Sequence, residues 1–439
     1  MANFSRRKFM LTVGATAAGT LLAHGCSNGG SGSSSSSPSS VPAVSSGTAD
    51  TPETDTVKLG FIALTDSAPL IIAKEKKLLE KYGLKNAEVS KQTSWATTRD
   101  NLELGSAKGG IDGAHILTPM PYLMTAGKIT KGNEKIPMQI LARLNTDGQG
   151  ISVSSDYADL KFEAKAPKLK EKVDAMKAAG KKFQGAVTFP GGTHDLWMRY
   201  WLAANGVNPD DDVDLKVIPP PQMVANMETK AMDAFCVGEP WNQRLVTKKL
   251  GYNALTTGEL WKNHPEKSLA VRGDWATKNP KAAKALLMAV MEAQMWCDKD
   301  ENKDEMCKIV EGHKYIKAPA ADIVGRMKGD FDFGNGRTLA KSDLLMKFWR
   351  ENASFPYKSH DKWFITENIR WGKMEEADLA LVDTVNQSAL WREAAKALKV
   401  PDAQIPKEDS RGKETFFDGV VFDPADPKAY LSSLKIKKA

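Results

Sequence analysis

One unbroken stretch at 183–206, FQGAVTFPGGTHDLWMRYWLAANG, reads as a strand, a tight turn and a helix. Val187 and Phe189 have the β-branched and aromatic character of a strand. Pro190-Gly191-Gly192 is a turn that no regular element accommodates well. Thr193 is expected to cap the helix, and Asp195 in the first turn suits the helix dipole. Trp197, Tyr200, Trp201 and Ala204 recur at i, i+3, i+4 and i+7, the spacing of one buried helical face. Gly206 stands where a helix end favours a residue able to take a positive φ. The product is a glycine-lined helix N-terminus with His194 beside it, and free backbone N–H groups at such a place attract anions.

The rest of the chain repeats that grammar. Alternating apolar residues at 57–63 predict a strand, followed by a helix carrying Ile71, Ile72, Leu78 and Leu79 and ended by Gly83. A strand over 85–92, the loop Thr93-Ser94-Trp95, a helix to about Leu104 and a strand over 109–116 follow. That strand leads into Thr118-Pro119-Met120-Pro121. After the stretch at 183–206 come a strand over 214–218 stopped by three prolines and a helix with Met223, Val224 and Met227. A strand over 233–237 then runs into Gly238-Glu239-Pro240-Trp241. Strands alternating with helices imply parallel sheets, and the two similar runs imply an α/β protein of two lobes. Ligands of such sheets lie outside the carboxyl ends of the strands, where Trp95, His194 and Gly238 fall, so two facing lobes would make a cleft.

Two crossings are needed. The first follows a strand over 138–144 at the bend Gly148-Gln149-Gly150, and the return lies around Pro265-Glu266-Lys267-Ser268. The expected division is 57–147 with 268–439 in lobe 1 and 148–267 in lobe 2. Pro280 starts a helix with Ala283, Leu286, Leu287 and Val290 on one face. The chain to about Leu398 looks mostly helical, and the polar, proline-bearing tail from Val400 is expected to wrap the surface.

The amino terminus is of another kind. Ser-Arg-Arg-Lys-Phe-Met at 5–10 precedes an uncharged apolar run at 11–23, the layout of a secretory signal. The arginine pair resembles a twin-arginine export signal. Leu22-Ala23-His24-Gly25-Cys26 resembles a bacterial lipobox, with His24 a departure from the usual small residue. The signal is placed at 1–25, with Cys26 the lipidated first residue of the mature chain. Residues 26–56 are Ser/Gly-rich, then Pro/Thr/Asp-bearing, and read as a flexible tether with an r.m.s. span of roughly 30 Å. No other apolar run approaches the length of a membrane span. With Cys26 set aside, Cys236, Cys297 and Cys307 are an odd number that argues against a disulfide framework and for buried thiols.

The formal charge of +7 is spread through mixed surface segments, and Arg6, Arg7 and Lys8 lie in the signal. There is no basic stripe of the kind that binds nucleic acid. The chain has no phosphate loop, His-Glu-x-x-His, Cys-x-x-Cys or Gly-x-Ser-x-Gly elbow, so no motif supplies a nucleophile with a base. Neither catalysis, a cofactor nor a metal is expected. What falls at the loop and crossover positions is a set of donors: the Trp95 indole, the Gln149 amide, the His194 imidazole, the Lys267 ammonium and backbone N–H around Gly238. Each has an ordinary reading by itself: Trp95 as packing, Gln149 as loop surface, Lys267 as a solvated lysine. Together they suit a small oxyanion with no proton to give, which needs donors and one positive charge.

Phe-Pro-Gly-Gly-Thr-His at 189–194, Val-Gly-Glu-Pro-Trp-Asn at 237–242 and His-Pro-Glu-Lys at 264–267 carry a resemblance extending from 57 to about 430. The chain resembles the cyanobacterial nitrate and bicarbonate substrate-binding lipoproteins of ABC transporters. The resemblance implies a type II periplasmic binding protein, a two-lobed C-clamp in which each lobe is a mostly parallel sheet flanked by helices. It implies anion contacts at Trp95, Gln149, His194, Gly238 and Lys267. The bicarbonate sister is expected to carry an acidic residue where Lys267 stands, assisted by calcium, so the lysine favours nitrate. The implied protein is a monomeric receptor for nitrate and nitrite, lipid-anchored at the periplasmic face of the inner membrane. It would serve a permease with ATPase subunits. The bicarbonate receptor is the near alternative. A thiamine-precursor synthase on the same fold, in which a histidine is consumed, is a remoter one that the export signal disfavours.

Overall fold

Two five-stranded sheets, joined by two crossings of the chain, organise residues 51–438, the part described by this computed structural model. The signal at 1–25, Cys26 and the tether up to residue 50 lie outside the described residues. The strands are β1 (Lys58–Phe61), β2 (Glu88–Lys91), β3 (Gly113–Leu117), β4 (Met138–Arg143), β5 (Gln149–Ser154), β6 (Phe183–Val187), β7 (Val213–Val217), β8 (Ala234–Gly238), β9 (Gly251–Thr256) and β10 (Lys267–Arg272). The first sheet has the order β2-β1-β3-β10-β4 and the second β7-β6-β8-β5-β9. In the first, β1 runs parallel to β2 and β3, while β10 is antiparallel to both β3 and β4. In the second, β6 runs parallel to β7 and β8, while β5 is antiparallel to β8 and β9.

The correspondence is close. The one reversed strand in each sheet is the strand that enters from the other sheet. A reversed strand begins where its parallel neighbours end, so its first residue lies at the carboxyl edge, the ligand-binding edge of such sheets. Those first residues are Gln149 of β5 and Lys267 of β10. Gly148, just before β5, has φ +86°, and a Cβ there would stand 2.3 Å from Met346 Cε. The bend at the first crossing therefore requires glycine.

The helix Thr193–Ala204 follows β6 as the local pattern predicts, and Gly206 beyond it has φ +81°. It is buried on all sides from Thr193 to Leu202, not on one stripe, while Ala204 is exposed. Gly192, not Thr193, is the residue before the first turn, and the Thr193 hydroxyl turns away to Glu266. A long-range carboxylate has taken the group that local reasoning assigns to a cap.

Helix Pro280–Cys297 packs on Ala68–Glu75 beside the first sheet, with Ala283, Leu286, Leu287 and Val290 buried. Cys236, Cys297 and Cys307 are free, buried thiols. Residues 268–439, expected wholly in the first lobe, contribute to both cores: Trp363, Phe416, Phe422 and Tyr430 join the cluster that contains Ile151, Val153 and Trp197 of the second. The tail is also more structured than a surface wrap. It forms a two-stranded ribbon, Glu414–Thr415 with Val421–Phe422, and the helix Pro427–Ser433, and it drives Phe416 and Tyr430 into the interior. Sparse aromatics in a polar segment carry no periodicity, so the sequence has no local sign of this burial. No helix among the described residues is long and apolar enough to cross a membrane.

Candidate functional site

The carboxyl edges of the two sheets supply one buried polar cluster. Gln149 pairs in register with Gly238, the last residue of β8, and Lys267 with Leu117, the last residue of β3. His194 is the second residue of helix Thr193–Ala204. Trp95 opens the helix Trp95–Leu104, whose cap is Ser94, its hydroxyl accepting from the Thr97 N–H at 3.1 Å. Trp95, Gln149, His194 and Lys267 are all at most 1% exposed. The ordinary readings of Lys267 as solvated and Gln149 as loop surface do not hold.

Distances tie these residues together. His194 Nε2 lies 2.6 Å from Gln149 Oε1 and 3.5 Å from Lys267 Nζ. Lys267 Nζ stands 5.9 Å from the centre of the Trp95 ring. A Cβ on Gly238 would lie 2.7 Å from Gln149 Oε1 and 3.2 Å from Asp66 Oδ2, so backbone approaches the cluster where a side chain would intrude. All five residues singled out by sequence are thus brought to one region, although the helix N-terminus itself is already used. The Gly191 N–H donates to Asp195 at 2.7 Å.

Sequence reasoning missed the acceptors. Asp66, between β1 and helix Ala68–Glu75, is fully buried. Its Oδ2 accepts from Gln149 Nε2 at 3.0 Å and lies 3.0 Å from Lys267 Nζ, and its Oδ1 is 2.6 Å from His115 Nε2. Glu266 accepts from Lys267 Nζ at 2.7 Å, from Trp197 Nε1 at 2.9 Å and from the Thr193 hydroxyl. The only sequence signal was Glu266's place next to Lys267 within the His-Pro-Glu-Lys motif. His115 shares β3 with apolar neighbours and reads as core.

The charges follow from this arrangement. Burial alone would lower the Lys267 pKa, but Asp66 and Glu266 outweigh it and hold the ammonium above its ordinary value. Burial raises Asp66, yet Lys267 and His115 together bring it well below the ordinary carboxylate range. Burial, opposed by Lys267, leaves Glu266 above its ordinary value. Burial and the nearby ammonium push His194 far down, and burial lowers His115 against the pull of Asp66. The imidazoles are therefore neutral. Of the buried polar atoms without a hydrogen-bond partner among the described residues, two belong here: Trp95 Nε1, beside the cluster, and Thr65 Oγ1, next to Asp66. A buried N–H without an acceptor is costly, and an anion in the cluster would relieve it. The cluster thus sets one ammonium, an unpartnered indole N–H, an amide and two neutral imidazoles around two buried carboxylates.

Gly238→Ala is expected to weaken anion binding by roughly ten- to a hundredfold, the effect of about 1–3 kcal/mol of overpacking. Titration calorimetry of the variant checks this, and an unchanged affinity would show that Gly238 does not border the ligand.

Comparison with known proteins agrees with this architecture. Residues 50–311 match the model of the NMT1-like family. The chain is 62% identical over 441 residues to the nitrate/nitrite binding protein NrtA of Synechococcus elongatus, covering 100% of this chain and 99% of that protein. It is 45% identical over 446 residues to the bicarbonate-binding protein CmpA of the same organism, covering 99% of this chain and 98% of that protein. The crystal structure of the periplasmic nitrate-binding protein NrtA from Synechocystis PCC 6803 superposes with a TM-score of 0.86 at 59% identity, covering 88% of this chain and 100% of that one. The fold is that of a periplasmic binding protein.

Proposed function

The chain belongs to the NMT1-like family, on the branch of nitrate and bicarbonate substrate-binding proteins, and from that premise we propose that it is the solute-binding component of an ABC transporter, capturing nitrate and nitrite. The carrying observation is convergence: Trp95, Gln149, His194, Gly238 and Lys267 come from five separate elements, two helices and three strands drawn from both sheets, and meet in one buried cluster. Nitrate is planar, monoanionic and has no proton to give. It asks for several directed donors and one cation, which the indole, amide, imidazole, backbone and ammonium provide.

Capture is a clamp. The lobes are built on the two sheets, with hinges at the crossings next to Gln149 and Lys267, and the anion favours the closed state by touching both. Direct bonds already cross between the lobes: Thr65 N–H donates to Glu239 O at 2.7 Å and Trp241 Nε1 to Ala63 O at 3.0 Å. The closed receptor then delivers its anion to a membrane permease driven by ATPase subunits. In this reading the export signal is removed and Cys26 is lipidated; the tether ends before the expected residue 56, because Glu53 already accepts the Lys281 and Ala282 N–H at 3.1 and 3.0 Å, and it holds a monomeric body at the periplasmic face of the inner membrane. The side chains act as ligands and not as catalysts.

Titration calorimetry of the body from about Thr51 tests the reading, with sodium nitrate and separately with bicarbonate plus calcium. One-to-one nitrate binding without calcium is expected. Binding of bicarbonate with calcium and none of nitrate would overturn the assignment in favour of the sister receptor.

A further inference from the structure

Two of the donors proposed to hold the anion, Gln149 and Lys267, are already engaged, and the group engaging both is a carboxylate of the chain itself. Asp66 Oδ2 lies 3.0 Å from Gln149 Nε2 and 3.0 Å from Lys267 Nζ. The same oxygen would stand 3.2 Å from a Cβ on Gly238. An oxygen of Asp66 thus takes two donors that the reading above gives to nitrate. Charge makes the conflict sharper. The cluster has one ammonium, Lys267, against two fully buried carboxylates, Asp66 and Glu266, so it is already short of positive charge. A second or third uncompensated negative charge in a dry site is strongly unfavourable.

The hydrogen bonds show which group can relieve it. Glu266 keeps the donors Trp197 and Thr193 when an anion takes Lys267, and those bonds favour its charged form. His115 Nδ1 accepts the Ile62 N–H at 3.4 Å, so its proton is on Nε2 and is given to Asp66 Oδ1. His194 likewise has both nitrogens engaged, Nδ1 with Thr188 Oγ1 at 2.5 Å and Nε2 with Gln149 Oε1. What remains is Asp66 Oδ2, the oxygen that loses Gln149 and Lys267 when an anion takes them.

We propose that nitrate capture is coupled to the uptake of one proton from solvent onto Asp66 Oδ2. The inference rests on the nitrate reading above. Protonation changes Asp66 from an internal competitor into a further donor. The carboxyl keeps the His115 bond on Oδ1 and turns an O–H toward the anion, alongside the otherwise unpartnered Trp95 indole. In the empty site Lys267 and His115, outweighing burial, keep Asp66 ionised, so the proton enters with the ligand and is not there beforehand. Nitrate carries no proton at these pH values, which makes any uptake a property of the protein.

The test is calorimetric titration with sodium nitrate at pH 8 in two buffers of unlike ionisation enthalpy, repeated from pH 6.5 to 9. About one proton taken up per nitrate is expected, with affinity falling roughly tenfold per pH unit where the coupling is complete. In Asp66→Asn the amide donates without a titrating proton. That variant is expected to bind nitrate with no proton uptake and to lose the pH dependence. Nitrate binding by the wild-type protein without proton uptake across the range would overturn this proposal and leave the receptor reading standing. Uptake that persists in Asp66→Asn would overturn the assignment to Asp66. No nitrate binding at any pH would overturn the receptor reading, and the proposal with it. The wild-type titration needs no variant to fold.

Discussion

Lys267→Met is expected to abolish nitrate binding, with affinity reduced roughly a thousandfold or more, and to lower folding stability by about 3–5 kcal/mol. Both effects have one cause. The ammonium is fully buried, 3.0 Å from Asp66 Oδ2 and 2.7 Å from Glu266 Oε1, and among the described residues is the only cation facing either carboxylate in the cluster. Removing it leaves two buried negative charges unpaired and removes the positive charge an incoming monoanion requires. The two consequences can be separated. Adding Asp66→Asn deletes one orphaned charge, so the double variant should recover a good part of the lost stability while still failing to bind. Urea unfolding and nitrate titration on both proteins read the two properties independently. Micromolar nitrate binding by a folded Lys267→Met protein would sink the role given to this lysine. Stability unchanged in the same variant would contradict the buried ion-pair geometry.

Trp197→Ala is expected to cost about 3–5 kcal/mol of stability, among the largest losses for a single side chain in this fold. Trp197 is fully buried and stacks on Trp363 with ring centres 4.8 Å apart. It also lies 4.4 Å from the His264 ring and donates its Nε1 to Glu266 at 2.9 Å. The indole therefore joins three distant parts of the chain: the helix after the glycine turn, the return crossing, and the carboxyl-terminal helix Lys358–Arg370 that packs on the first of these. Trp197→Phe keeps most of the ring contact but leaves Glu266 one donor short, and should cost about 1–3 kcal/mol. Denaturant unfolding followed by far-UV circular dichroism orders the three proteins. A loss below about 1 kcal/mol for the alanine variant would mean that this aromatic column does not hold the carboxyl-terminal region to the second core.

Much of the molecule could be read locally because local patterns report local burial. The strand, turn and helix at 183–206, the proline that opens Pro280–Cys297 and the positive φ at Gly206 are each determined by a few neighbouring residues. The alternation of strands and helices required mostly parallel sheets, and the glycine and proline loops at their ends marked where a ligand would lie. The five residues proposed as donors each stand at the end or start of a recognisable element, and a family resemblance singled them out.

Tertiary structure decided the rest. Whether Lys267 is a surface lysine or a buried cation depends on β10 running antiparallel between β3 and β4, a pairing across more than a hundred residues that no local window contains. Whether Thr193 caps its own helix depends on Glu266 arriving beside it from the return crossing. Asp66 and His115, unremarkable in a loop and an apolar strand, become the acceptors of the site only because β1 and β3 are neighbours and β5 and β10 deliver Gln149 and Lys267 to the same edge. Periodicity reveals which face of an element is buried. Which polar groups meet inside is set by register and strand direction, and on that meeting the charge of the cluster, and hence its chemistry, depends.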